Sequence, residues 1–480
     1  MCGDEDLNIL MKPVSQRVLS VIVFSLLFAW LLAFPFEGQI LYAIAGEFGM
    51  PVDGLVFGAI TVQFAGLFLC GYFVKSQSAA KKILLFVTVW DIAASAVFFS
   101  EPSILWPVAL ISSSFVSGFG VASWGYYLKS CTPKKERIKT VADGLIFSNI
   151  IMILLNMTAI HFSPRAGLGM AIIVLVAALY FTMRLPGSDP GPSADRRSER
   201  SEQNTSPGII KPLIFLCVFV IVITINSGLM YHVQGPAFAH LEWLTSWYWA
   251  VPYIVALIIM RNLPRGMSRT YILYAAIAMI GFSFIFFTLL DRSAASYFVV
   301  NTLMLGACGV FDLFWWSILG EMLDYDRNPA QVLGMGLSSN VFGVLIGGLI
   351  GNVIGDGPGS SLLALSVVCI TLVLLPPLHR HLTNVLKDHA YLTTFSEMPD
   401  EESGRTVKEF FRNGPLSARE REIAELLLKG KTYKAIADEL YVSQNTVKTH
   451  VKNIYYKYEV QSRSELVTLM LDQRKSGTAQ

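Results

Sequence analysis

The sequence predicts an all-α chain: a twelve-helix transmembrane bundle built as six plus six, followed by a compact four-helix module. Three observations carry this expectation. Charged residues make up only 15% of the 480 positions while hydrophobic residues reach 53%, against roughly 25% charged in an ordinary soluble domain. Twelve apolar stretches each approach the length of about 20 residues that a bilayer core demands of a helix. After residue 378 the composition turns abruptly polar, and the apolar residues take the spacing of short amphipathic helices. This composition excludes a disordered chain, a collagen-like fibre and an ordinary cytosolic enzyme. The net charge of +2 is uninformative as a total; its distribution along the chain is not.

The predicted spans are 18–36, 55–74, 83–99, 104–128, 140–160 and 166–183, then 212–231, 244–260, 270–290, 294–320, 332–354 and 362–378. The first is too long for a cleaved signal and offers no small-residue cleavage site at Phe34-Pro35-Phe36-Glu37. Basic residues set the orientation. Counting the N-terminus as inside, the inside loops carry Lys12 and Arg17; Lys75, Lys81 and Lys82; the run from Lys129 to Lys139; Arg184 to Lys211; Arg261, Arg265 and Arg269; and Arg327, whereas the outside loops carry only Arg165 and Arg292. That bias places both termini of a multi-pass membrane protein in the cytoplasm. The six cysteines are thinly spread, most of them in apolar runs, and form no Cys-x-x-Cys pair, so neither a disulfide framework nor a structural zinc site is expected.

The polar segment 185–211 splits the spans six and six and reads as a cytoplasmic linker within the membrane domain 1–378. Two six-helix halves joined in this way resemble the major facilitator superfamily, whose halves are related repeats. The family's Gly-rich, Asp- and Arg-bearing loop between the second and third spans is only partly kept. It reads Gly71-Tyr-Phe-Val-Lys75-Ser-Gln-Ser-Ala-Ala-Lys81-Lys82, with Lys75 where the family's Asp would stand.

Residues 379–412 read as a polar linker with an acidic patch at Asp400, Glu401 and Glu402, and His379, Arg380, His381 and His389 read as juxtamembrane polar residues rather than a metal cluster. The module 413–475 follows. Ser417-Ala-Arg-Glu420 is a capping box opening the first helix, with Ile423, Ala424, Leu426 and Leu427 inward and Gly430 as its stop. Thr432 opens the second helix, with Ile436, Ala437 and Leu440 inward. Val442-Ser443 makes a tight turn, and Ser443 caps a third helix whose apolar stripe is Val447, Val451, Ile454 and Tyr455. Ser462-Arg-Ser-Glu465 is a second capping box, opening a fourth helix with Leu466, Val467 and Met470. A short helix, a turn and a second helix make the helix-turn-helix arrangement.

The string Leu416-Ser-Ala-Arg419-Glu420-Arg421-Glu422-Ile423, with Gly430, Ile436-Ala437, Leu440, Ser443-x-x-Thr446-Val447-Lys448-x-His450-Val451-x-x-Ile454, Lys457, Val460, Arg463 and Glu465-Leu466-Val467, closely resembles the LuxR-type DNA-binding domain over the whole module. Tyr458 departs from the family's Leu, a change expected to affect packing and not DNA contact. The resemblance implies that Lys448, Thr449 and Lys452 meet base edges of double-stranded DNA in the major groove. Lys can donate to guanine and a Thr methyl can pack on thymine. Asn445, Thr446 and His450 suit phosphate contact, which orients without specifying sequence. It also implies a homodimer through the fourth helix, with Leu466, Val467 and Met470 as the candidate contacts. With 11 Lys and Arg against 8 Asp and Glu over 413–475, the module carries only +3, so weak monomer binding and paired half-sites are expected.

One span would anchor such a module, and no soluble segment before Leu416 is long enough for a phosphoacceptor or ligand domain, so the bundle stands in the sensor's place. The whole chain resembles bacterial LuxR-family regulators with a transporter-like membrane domain in front. The spans contain no basic residue, and their acids are functional candidates: Asp91 beside Trp90, and Asp312 near Trp315 and Trp316, with Asp143 close to the cytoplasmic end of the fifth span. Asp91, Asn149, Asn226 and Asp312 are the candidate ligand residues. A buried structural hydrogen bond is the competing account of Asp91. Gln63, Asn156 and Asn340, like the two candidate asparagines, can also serve as helix–helix glue. Trp243, Trp247, Trp249 and Tyr248 read as an interface belt, or else as the rim of an outward pocket. Gly343, Gly347, Gly351 and Gly355 read as close helix packing. No catalytic constellation, metal-ligand spacing or cofactor motif is present, so no enzyme is expected. The expected function is a membrane-bound, one-component transcription regulator that senses an unidentified small ligand. The alternatives are a transporter–receptor that also moves its ligand, or an inert anchor for a constitutive regulator.

Overall fold

The computed structural model describes residues 15–36, 38–187, 210–263, 269–323, 328–354, 359, 361–374, 376–377, 409–411, 414–428, 433–460, 463, 466–467 and 469–470. Lys12, most of the central loop, Arg265, Arg327, Gly355, the histidines from His379 to His389, the acidic patch, Gly430, Thr432, Ser462 and Glu465 lie outside the described residues. The chain forms two compact units, Met1–Asp189 with Leu213–Pro376, and Pro190–Pro212 with Pro377–Gln480. Every regular element among the described residues is helical.

Eleven helices of the first unit are long and apolar enough to cross a bilayer: Gln16–Ala33, Asp53–Phe73, Gln77–Phe99, Leu105–Ser130, Arg137–His161, Pro164–Arg184, Leu213–Ala237, Glu242–Arg261, Ile272–Leu289, Ala294–Met322 and Pro329–Ile354. The twelfth predicted span is a shorter apolar helix, Ser361–Leu374. Local caps set several starts. Ser15, Ser76 and Ser293 accept hydrogen bonds from the backbone N–H groups of Val18, Ala79 and Ser296, at 3.3, 3.1 and 3.3 Å. Hydroxyls inside the spans turn back on their own helix. Thr88, Thr182 and Thr224 each donate to the carbonyl four residues earlier, at 2.7 Å. One helix was not expected. Gln39–Glu47, between the first two spans, buries Ile40, Leu41, Ile44 and Ala45.

The two sets of six meet chiefly where the second span packs on the eleventh, and the fifth on the eighth and tenth. Polar ties cross between the sets at the end of the bundle where the first span begins. Asp143 takes hydrogen bonds from Arg17 Nη2 at 3.0 Å and from Arg261 Nε at 2.5 Å. Arg137 Nη1 donates to Gly320 O at 3.0 Å. Asn328 Nδ2 donates to Gly71 O at 2.5 Å, and Asn328 Oδ1 accepts from Tyr126 Oη at 3.2 Å. The stretch that begins at Gly71 thus keeps a cross-set contact although Lys75 replaces an acid. The backbone of Gly71, in the last turn of the second span, supplies the acceptor, and Asn328, just before the eleventh span, the donor. Lys81 closes the end of the sixth span, reaching Met183 O at 2.9 Å and Leu185 O at 2.5 Å. At the other end, His161 and Ser246 lie 3.0 Å apart across the sets.

Among the described residues the backbone is irregular in both sets: in the first, the fourth span is two helices, Leu105–Ser123 and Gly125–Ser130, meeting at Trp124, and the second set has two such places. The seventh span contains a π segment, Met230–Gln234, just before Gly235-Pro236, and the eighth is two helices, Glu242–Tyr248 and Val251–Arg261, interrupted at Trp249-Ala250 just before Pro252. The glycines of the eleventh span pack it closely on the seventh. A Cβ on Gly347 would fall 2.1 Å from Ile225 O, and one on Gly343 would fall 2.4 Å from Ile221 O. Replacing Gly347 with Ala is therefore expected to destabilise the bundle by about 1–3 kcal/mol. Gly281→Ala, whose Cβ would meet only Leu365 and Val368 side chains at 3.7 Å, is expected to be neutral. Thermal unfolding of the two detergent-solubilised variants measures the difference.

Candidate functional sites

A cavity lies between the two sets of spans. Its walls follow helical spacing. Cys308, Asp312 and Trp316 face it from successive turns of the tenth span, Leu145 and Asn149 from the fifth, and Trp249, Ala250 and Tyr253 from the broken eighth. The π segment contributes Met230 and Tyr231. Both irregular stretches of the second set thus face this cavity, where non-helical backbone at membrane depth is tolerated. Asp312 is held in place by two donors, Tyr253 Oη to Oδ2 at 2.8 Å and Trp315 Nε1 to Oδ1 at 3.1 Å. Asn149 Nδ2 donates to Leu145 O at 2.8 Å.

Of the four sequence-predicted ligand residues, the cavity brings together Asp312 and Asn149. Asp91 does not line it. That residue is 1% exposed and faces a narrow neighbouring crevice, where Ser117 Oγ donates to its Oδ2 at 3.0 Å. The crevice and the cavity share Phe28, Leu31 and Val121 as a common wall. Asn226 is fully buried next to Ser227, which does line the cavity, and neither side-chain amide atom of Asn226 has a partner among the described residues. Two residues expected as helix glue, Gln63 and Asn340, lie in the cavity wall instead. The tryptophan cluster divides. Trp243 is 68% exposed and meets Trp247 edge to face at 5.8 Å, while Trp249, one turn before Tyr253, faces the cavity. The sequence reading missed Tyr253 as a cavity residue, named Trp316 only as a neighbour of Asp312, and gave Trp249 a pocket rim only as the alternative to an interface belt. Pro252 and the four-residue spacing from Asp312 to Trp316 were the available signals.

The second unit contains the helices Ala418–Leu428, Tyr433–Glu439 and Gln444–Lys457, and the described positions from Arg463 to Met470 are helical too. Ser417 and Glu420 form the expected box, Ser417 N–H donating to Glu420 Oε2 at 2.8 Å and Glu420 N–H to Ser417 Oγ at 3.3 Å. Ser443 Oγ accepts from Thr446 N–H at 3.0 Å and starts the third helix. Val447, Val451 and Ile454 are buried. Asn445, Thr446, Lys448, Thr449 and Lys452 are exposed on the other side of the helix, and His450 is half-buried. Thr449 Oγ1 donates to Asn445 O at 3.0 Å, which leaves its methyl group for apolar contact. Tyr456, one turn beyond Lys452, extends this exposed stripe at 85% exposure and was missed, although its spacing from Lys452 was legible.

Two expectations about the module are corrected. Leu466, Val467 and Met470 are 0%, 0% and 1% exposed in the module's own core, so they pack the monomer and are not available as a dimer face. The core also begins earlier than 413. Phe411 is fully buried in it, and Phe410 stacks on Tyr458 with ring centroids 5.3 Å apart. Tyr458, at the end of the third helix, packs against Phe410 and Phe411, the residues entering the module.

Residues 414–470 match the family model described as bacterial regulatory proteins, luxR family. Over 64 residues the chain is 45% identical to the spore germination protein GerE of Bacillus subtilis, an alignment that covers 13% of this chain and 86% of that protein. The chain belongs to the luxR family of bacterial regulatory proteins. The LuxR module is also 48% identical over 59 residues to the probable transcriptional regulatory protein NarL of Mycobacterium tuberculosis, covering 12% of this chain and only 27% of that relative. In front of the LuxR module stands a membrane bundle with the major facilitator fold. It superposes on the proton:xylose symporter XylE with a TM-score of 0.60 at 13% identity, over 75% of this chain and 94% of that one.

Within the LuxR module, Glu420 also accepts from Lys457 Nζ at 2.7 Å, tying the first helix to the end of the third. Burial alone would raise the Glu420 carboxyl, but the Lys457 ammonium and the Ser417 donors outweigh it and bring the carboxyl down to about 2. A carboxyl held below its unfolded value stabilises the fold above that value, and the contribution is lost as pH falls from about 4.5 through about 2. Glu420→Gln is expected to lower module stability at neutral pH by about 1–3 kcal/mol and to flatten the acid limb of unfolding. Denaturant titrations across that pH range measure both effects.

Proposed function

We propose that this chain is a membrane-bound, one-component transcription regulator in which ligand binding between the six-helix halves controls DNA binding by the LuxR module. The observation that carries the reading is the cavity, whose polar groups come from both halves, Gln63 and Asn149 from one and Asp312 and Asn340 from the other. A ligand held by both halves has different affinity for their different arrangements, which is the thermodynamic requirement for shifting an equilibrium. The Asp143, Arg137 and Asn328 ties are the contacts such a shift would exchange. The basic-residue bias supports a cytoplasmic LuxR module attached to the inner membrane, and the modest charge of that module supports a homodimer on paired half-sites. Regulators of this family and transporters of this fold are not typical enzymes. A second reading, that the bundle also moves its ligand, is favoured by Asp312, a carboxylate facing the cavity as coupled transport requires.

In the LuxR module, Lys448, Thr449 and Lys452 are assigned to base edges, and Asn445, Thr446 and His450 to phosphates. Lys448→Ala should relax base preference at one position of the operator, costing about 1–3 kcal/mol there, while Thr446→Ala weakens all sequences evenly. Gel shifts on an operator and its single-base variants separate the two patterns, and unchanged binding in both variants would remove the assignment.

Sensing is tested in cells with a reporter on the operator mapped by chromatin capture of the full-length chain. Ser227→Trp, which puts an indole into the cavity and obstructs a ligand there, should hold the reporter at one level across growth conditions. A reporter whose response survives both this change and deletion of residues 1–378 would overturn the sensing reading. Uptake of the inducing compound by vesicles, lost in Asp312→Asn, would establish the transporting version.

A further inference from the structure

The cavity has a particular chemical balance. Six aromatic rings face it: Phe28 and Phe36 from the first half, and Tyr231, Trp249, Tyr253 and Trp316 from the second. Among the described residues that line it, Asp312 is the one acidic side chain and there is no Lys, Arg or His. We propose that the ligand is an organic cation with an apolar body, its charge set against Asp312 and its surface packed on the aromatic rings. This deepens the sensing reading and rests on it.

Three physical points support the cation. A charged group taken out of water into the bundle needs a counter-charge, and the wall provides one of negative sign only. An anion would meet that carboxylate and find no cationic group to receive it. Aromatic faces carry negative quadrupole potential and attract cations, Trp most strongly. The carboxylate is also pre-positioned. Tyr253 and Trp315 hold one oxygen each at 2.8 and 3.1 Å, and each oxygen can accept a further contact. Tyr253 and Trp316 are at once members of the aromatic wall and neighbours of Asp312. Tyr253 bonds to it directly, and Trp316 stacks on Trp315 with centroids 5.4 Å apart. Charge and rings are therefore presented at one place.

The test uses two ions of the same shape and opposite charge, tetraphenylphosphonium and tetraphenylborate, added to the full-length protein in detergent. The readouts are tryptophan fluorescence and thermal unfolding. Tetraphenylphosphonium should quench and stabilise saturably, tetraphenylborate should do neither, and Asp312→Asn should weaken the phosphonium response by about tenfold or more. Equal responses to the two ions, or an unchanged phosphonium affinity in Asp312→Asn, would overturn the proposal. The comparison of the two ions in the unaltered protein decides the matter even where the variant fails to fold. Failure here removes the cation and leaves sensing to the reporter experiment, which uses neither probe.

Discussion

A backbone that crosses hydrocarbon must satisfy each of its N–H and C=O groups within its own segment or against protein. The rest of the bundle follows from this requirement. The spans are helices, and the hydroxyls of Thr88, Thr182 and Thr224 donate to carbonyls of their own helices. The same requirement explains where irregularity is allowed. The π segment and the interruption at Trp249-Ala250 both border the cavity.

The parts of the fold that depend on local spacing were legible in the sequence. Apolar length fixed the spans, and serine caps with a partner three residues on, Ser417 and Ser443, located two helix starts in the module. What sequence alone left open depends on which faces of the helices meet. A spanning helix is apolar on every side, so its pattern does not distinguish the side toward lipid from the side toward a neighbour. Asp91 and Asp312 look alike in sequence, yet one is closed off against Ser117 and the other faces the cavity. Trp243 and Trp249 are six residues apart and part company at a break that only Pro252 announced. In the module, the apolar stripe of the fourth helix was visible but its partner was not. Leu466, Val467 and Met470 turned out to complete the monomer's core.

The ties that join the two sets at one end of the bundle have a common form. Asp143 answers two arginines from different spans, and Asn328 serves as donor to one backbone and acceptor to one side chain. Such contacts are directional, so they hold one arrangement of the halves well and a displaced one poorly. The apolar packing behind them is less demanding of geometry.

The burial of Phe411 gives the segment that enters the module a role beyond connection. A domain of about 60 residues has little stability to spare, and withdrawing a buried phenylalanine costs about 3–5 kcal/mol. A pull on that segment sufficient to extract Phe411 would leave a hole in the core and free the ring of Tyr458 at the foot of the third helix. The module would then be less a rigid reading head that is covered or uncovered than one whose very foldedness, and with it exposure to proteases, is held by the last link of its tether.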